Sequence, residues 1–151
     1  MDVSIKSPSV LGLVPEQDAV LHQVALPVTR FDQSLQTIVA QMKQVMKDEG
    51  GIGLAAPQVG IGQRIIILLD LDTHQPTAWI NPIVLEARGW AWHDEGCLSL
   101  PGQRVRKMRS EWVKVGAYDE QGVYHEFERR NLEAACVQHE IDHLNGVLMT
   151  D

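Results

Sequence analysis

Apolar residues recur at helical spacing in two stretches of the chain and form strand-like runs between them. Leu35, Ile38, Val39, Met42, Val45 and Met46 share one face of a helix predicted over residues 33–48. Asp32 is placed to cap its start, and Gly50 and Gly51 stop it. The apolar run at 64–69 reads as a strand buried on both faces. Residues 78–80 and 83–85 read as two strands separated by Asn81-Pro82. Trp90 and Trp92, two apart, fall on one face of an extended segment. Residues 112–118 and 123–127 flank Asp119-Glu120-Gln121-Gly122 and read as a hairpin. A second helix is predicted over 132–144, with Asn131 as its N-cap and Gly146 just past its end. Residues 1–30, punctuated by Pro8, Pro15 and Pro27, read as an irregular or extended lead-in. Helix, several strands, then helix, with no regular β-α-β alternation, predicts an α+β fold of mostly antiparallel strands.

Composition narrows the classes. The 151 residues are 44% hydrophobic and 22% charged, which suits one globular domain, and no repeat or low-complexity tract divides them. Thirteen Lys and Arg against twenty Asp and Glu leave a net charge of −7. That excludes a basic footprint as the main basis for binding nucleic acid or an anionic membrane, so no direct nucleic-acid partner is expected. The densest apolar run, 65–69, is far short of the roughly 20 residues that a membrane helix needs. The start of the chain lacks the charged and apolar pattern of a signal peptide. Two cysteines are no disulfide framework, so a cytoplasmic, reducing setting is expected, with Cys97 and Cys136 free for chemistry or packing.

The sharpest local signal is His139-Glu140-Ile141-Asp142-His143 in the second predicted helix. Histidines at i and i+4 lie one above the other on a helix face, so their ring nitrogens can meet at one metal. Glu140 beside them can take a proton from a water activated there. Taken alone, the motif also arises by chance on solvated helix faces. Here Leu132, Ala135 and Cys136 share the face with both histidines and turn it toward the core, where unpaired polar groups are costly.

Downstream of His143 there is no Glu or His, so a third ligand comes from upstream or from Asn145 or Asp151. Upstream, Cys97 within Glu95-Gly96-Cys97-Leu98-Ser99 precedes Pro101-Gly102, in a turn or short strand. A thiolate with two imidazoles leaves one tetrahedral position open, the catalytic arrangement; a small buried hydrophobe is the alternative for Cys97 and the preferred reading for Cys136. Gly51-Ile52-Gly53-Leu54-Ala55-Ala56-Pro57-Gln58-Val59-Gly60 lacks the Lys-Ser/Thr of a phosphate loop. Its small residues let a substrate backbone approach, and Gln58 is a neutral donor for an oxyanion, or else the segment is only a tight connection. Two further readings stay open from the residues alone: a small HExxH peptidase, and a structural zinc module with Cys136 as an awkward fourth ligand.

Gly51-Ile52-Gly53-Leu54-Ala55-Ala56-Pro57-Gln58, Glu95-Gly96-Cys97-Leu98-Ser99 and Gln138-His139-Glu140-Ile141-Asp142-His143-Leu144, in this order, resemble the three signature motifs of the peptide deformylase family. The resemblance spans about residues 8 to 150 and implies one catalytic domain over 1–151. It implies antiparallel sheets around a C-terminal helix that carries the histidines, and hydrolytic removal of the formyl group from formyl-methionine at the start of new polypeptides. Carried over residue by residue, Cys97, His139 and His143 bind one divalent metal, with ferrous iron the expected ion and zinc, nickel or cobalt as substitutes. Glu140 is general base and acid; Gln58 and the Leu98 N–H hold the oxyanion. Ile52, His93, Leu132, Ala135 and Cys136 line the methionine pocket, with Gly53 and Gly96 beside the peptide and Arg104 nearby. His93 departs from the apolar residue usual at its position, and Gly50 stands where some relatives carry an acid. Arg109 is implied as a partner of Asp142. The sequence has no C-terminal extension beyond Asp151 of the kind that serves ribosome docking in many bacterial relatives, so ribosome docking is not carried over. Formyl-methionine initiation implies a bacterium, an organelle or a virus that infects bacteria.

Overall fold

A computed structural model describes residues 11–151; Pro8 and the rest of the first ten residues lie outside it. The elements are α1 (Gln33–Glu49), β1 (Gly53–Ala55), β2 (Ile65–Leu69), β3 (Pro76–Arg88), β4 (Ala91–Cys97), β5 (Leu100–Arg109), β6 (Trp112–Tyr118), β7 (Tyr124–Arg130) and α2 (Asn131–Leu144). Every pairing between these strands is antiparallel. Five strands form one sheet in the order β1-β2-β3-β6-β7, and β4 and β5 form a separate hairpin.

The alternation along β2 explains the layering. Ile65 and Ile67 pack with Leu35, Val39, Met42 and Met46 of α1, whereas Ile66 and Leu68 pack with Ala134, Val137 and Leu144 of α2. The continuous apolar run therefore serves two cores, one on each sheet face, as a strand covered on both sides must. Asp32 caps α1 through its Oδ1, which accepts the Leu35 N–H at 3.2 Å, and Gly50 ends the helix with φ 70°. At the other end of the sheet, Arg64 donates to the Leu144 carbonyl at 2.8 Å and to Asn145 Oδ1 at 3.0 Å, satisfying the frayed end of α2.

Three local expectations are corrected. Asn81-Pro82 does not divide two strands: β3 runs through it with a register shift between Ile80 and Ile83. Asn81 takes φ 51° and bridges to Val28 through its side chain, so the ladder skips the proline instead of ending there. Cys97 closes the strand β4, and Pro101-Gly102 lies near the start of β5, where proline is tolerated on a two-stranded edge. Trp90 lies in the connection after Gly89, whose φ is 70°, not in a strand with Trp92. Asn131 does not cap α2; it is the first helical residue, with φ 53°, and no side chain caps that end. No helix among the described residues is long and apolar enough to cross a membrane.

Candidate active site

Three elements converge on one cavity of about 690 Å³. Strand β4 brings Cys97 to its last position, immediately before the two-residue turn Leu98-Ser99. A short 3-10 turn, Ala56–Val59, holds Gln58 just after β1. Helix α2 turns His139, Glu140 and His143 inward, all buried.

The Cys97 thiol and one ring nitrogen each of His139 and His143 lie within 4.8 Å of one another, and among the described residues they form the group able to hold a metal ion. Cys97 Sγ is 3.4 Å from His143 Nε2. The other two candidates for third ligand are engaged elsewhere: Asn145 accepts from Arg64, and Asp151 caps the Leu148 N–H. Cys136 is not in the group; its thiol points to the Ile52 carbonyl at 3.6 Å. A soft thiolate and two imidazoles, one position short of a closed tetrahedron, suit a divalent first-row ion in a catalytic setting.

A carboxylate behind the ligands orients them. Glu95 stands two residues before Cys97 on the same face of β4, and its Oε1 meets His139 Nδ1 at 3.0 Å. That contact leaves His139 Nε2 to face the site. Arg109 clamps Glu95 through two hydrogen bonds of 2.7 and 2.8 Å and reaches Asp142 at 2.6 Å. Burial opposes the charge on Glu95, but the hydrogen bonds from Arg109 and His139 outweigh it and hold the carboxyl down to about 2. Burial likewise opposes charge on His139, yet the hydrogen-bonding of Cys97 and Glu95 raises it to about 10. Burial, then the His139 and Arg109 charges, push His143 down to about 3, so its ring keeps a free lone pair. The pairing of Glu95 with His139 and Arg109 is the role that spacing alone did not reveal, although Glu95 and Cys97 at i and i+2 of one strand already share a face.

Glu140 is 4% exposed and its Oε1 has no hydrogen-bond partner. Burial is the main cause that pushes its pKa up to about 7, the range in which a carboxyl both takes and returns a proton near neutrality. Gln58 is oriented by its own neighbours. Its Oε1 accepts the Ala55 N–H at 2.9 Å, so its amide N–H₂ must face the other way, to Ser99 Oγ at 3.0 Å and Cys97 Sγ at 3.6 Å. A neutral donor thus stands beside the thiol. Ser99 is the residue that fixes it, another contact that sequence spacing did not reveal.

The other predicted residues also border the cavity. Ile52, Gly53, His93 and Gly96 line it, as do Leu98 and Arg104. Leu132, Ala135 and Cys136 line it from α2, although Leu132 is half exposed rather than core-facing. His143 alone of the predicted set lies behind the lining, fully buried. Gly53 is the tightest point: a Cβ there would lie 2.6 Å from Glu140 Oε2 and 2.7 Å from Cys136 Sγ. Gly53→Ala is therefore expected to displace Glu140 and lower kcat/KM by about 10²-fold, the cost of a misplaced catalytic group. Steady-state kinetics beside a thermal melt separates this loss from unfolding.

A proton-transferring carboxyl, an amide donor and a thiolate–imidazole set for one cation, gathered on rigid elements around a cleft, define a metal-assisted hydrolase that attacks a carbonyl group. Comparison with known proteins narrows the class. The sequence matches the polypeptide deformylase family over residues 10–151. It is 40% identical over 144 residues to the peptide deformylase of Neisseria gonorrhoeae, covering 95% of this chain and 86% of that one. The crystal structure of peptide deformylase from Thermotoga maritima superposes with a TM-score of 0.90 at 41% identity, over 94% of this chain and 96% of that chain. A peptide deformylase from Synechococcus elongatus in complex with actinonin superposes with a TM-score of 0.88 at 42% identity, over 95% of this chain and 79% of that chain. This chain belongs to the peptide deformylase family. It is an enzyme of that family's reaction, the hydrolytic removal of the N-formyl group from nascent peptides.

Proposed function

We propose that this chain, as a single catalytic domain over residues 1–151, deformylates peptides that begin with formyl-methionine through Glu140, Gln58 and Leu98. One divalent ion would be held by Cys97, His139 and His143. The observation that carries the reading is the convergence of the Glu140 carboxyl, the oriented Gln58 amide and the Cys97 and His139 donors on one cavity, with the third donor, His143, behind its lining. The donors suit iron, nickel, cobalt and zinc, and the family resemblance favours ferrous iron as the resident ion.

When bound, the ion lowers the pKa of a coordinated water and polarises the formyl oxygen. Glu140 takes the proton of the attacking water and returns it to the leaving amine. The Gln58 amide and the Leu98 backbone N–H donate to the oxygen that gains charge, each such donor contributing about 3 kcal/mol. Gly53 and Gly96 let the peptide backbone come close, and Arg104 stands at the mouth. Ile52, His93, Leu132, Ala135 and Cys136 receive the methionine side chain. Substrates of this kind place the enzyme in the cytoplasm of a bacterium or an equivalent compartment.

Cys97→Ser tests the ligand assignment. The hydroxyl is a far poorer ligand than a thiolate, so the variant is expected to lose about tenfold or more in metal affinity. Metal per chain after dialysis against a chelator measures this, and stoichiometry equal to that of the wild type would remove Cys97 from the ligand set.

A further inference from the structure

One polar group in the cavity wall has no part in the chemistry described above. His93 stands on β4, on the strand face of Glu95 and Cys97, and lines the cavity together with Ile52, Leu132, Ala135 and Cys136. Its Nε2 is sealed from solvent and has no hydrogen-bond partner. Across the hairpin it stands opposite Lys107, whose Nζ is directed to the Met149 carbonyl at 3.3 Å. Among the described residues, the remaining buried unpartnered side-chain atoms have other places: Glu140 Oε1 and His143 Nδ1 at the reaction centre, and Trp79 Nε1 on a residue of the sheet core. A buried ring nitrogen without a partner costs free energy until something pairs with it.

The stretch of wall beside His93 has little to offer a polar ligand, and Arg104, elsewhere in the lining, donates to the Asp94 carbonyl. Ile52 and Leu132 are apolar, Ala135 presents a methyl group, and the Cys136 thiol is engaged with the Ile52 carbonyl. Resting on the reading that this cavity takes the first side chain of the peptide, we propose that His93 fits the subsite to a side chain with a hydrogen-bonding tip. Peptides that begin with formyl-methionine sulfoxide are then substrates alongside those that begin with formyl-methionine. A thioether sulfur is only a weak acceptor, whereas a sulfoxide oxygen is a strong one, and an apolar wall would strip its water without replacement. The imidazole supplies the replacement donor. Rotation about the His93 Cβ–Cγ bond, a broad torsion, turns a ring nitrogen to the ligand without moving the strand. The bond hydrolysed is unchanged.

The test compares kcat/KM of the metal-loaded enzyme for formyl tripeptides that begin with methionine, methionine sulfoxide or norleucine, which has no acceptor at its tip. The sulfoxide-to-norleucine ratio is expected to fall about tenfold in H93L, and most of it to survive in H93Q, which keeps an N–H donor. In a second arm, the His93 ring resonances of the zinc-loaded protein are followed during titration with the deformylated tripeptides. They are expected to shift with the sulfoxide peptide and much less with the norleucine one. A ratio unchanged in H93L, equal loss in both variants, or His93 resonances that treat the two peptides alike would overturn the proposal. Failure of the wild-type enzyme to hydrolyse the formyl-methionine peptide would strike the underlying reading instead. The titration needs no turnover and still decides the role of His93.

Discussion

Replacing Glu140 by Gln is expected to lower kcat by about 10³-fold, with metal content unchanged and Tm equal to or above that of the wild type. The carboxyl is 4% exposed, one of its oxygens has no partner, and burial holds its pKa at about 7. Those features disfavour a charge there in the folded protein, so a neutral amide of the same shape relieves the fold while it removes the proton acceptor. Formate release, metal analysis and a thermal melt on one preparation check the three parts together. A kcat within tenfold of the wild type would remove Glu140 as the base. Loss of the metal would make its role structural.

The second large effect is on stability. Arg109→Leu is expected to cost about 3–5 kcal/mol at neutral pH, because it takes from the buried Glu95 the guanidinium that pairs with it through two hydrogen bonds. The two side chains are 7% and 8% exposed, so water cannot replace the lost hydrogen bonds. The pH dependence has a definite sign. Glu95 has its carboxyl lowered from 4.5 to about 2, so its stabilising contribution is complete above pH 4.5 and is lost as pH falls through about 2. The stability gap between the wild type and Arg109→Leu is therefore widest above pH 4.5 and narrows toward pH 2. Urea unfolding at pH 7 and pH 3 measures it, and a gap that widened in acid would contradict the ion-pair account. Adding Glu95→Gln to Arg109→Leu should recover part of the loss, because the buried carboxylate that lost its guanidinium is then neutral.

The parts of this fold that show in the sequence are those with strong local patterning. The Ile65-Ile66-Ile67 run reads as a doubly covered strand because its alternate residues feed the α1 and α2 cores. The helical spacing of α1 and the i, i+4 histidines of α2 follow from the same local geometry. β5 is hidden because its two-stranded sheet buries little. Gln103, Arg104, Arg106 and Met108 are exposed, so no apolar alternation marks the strand, and Pro101 and Gly102 at its start look like a turn. The third ligand stayed open for a related reason. Cys97 meets His143 across 46 positions, Gln58 meets Ser99 across 41 and Glu95 meets His139 across 44, and spacing along the chain says nothing about such pairs. What the sequence did offer for them was the order of three motifs, which is evidence of family rather than of geometry.

The most direct test of the central claim is formate release from a formyl-methionine tripeptide. The protein is purified without oxygen and loaded with iron or nickel, and the acetyl-methionine peptide serves as control. The account predicts turnover of the formyl peptide and none of the acetyl peptide. A folded protein that carries one metal ion and releases no formate would contradict it.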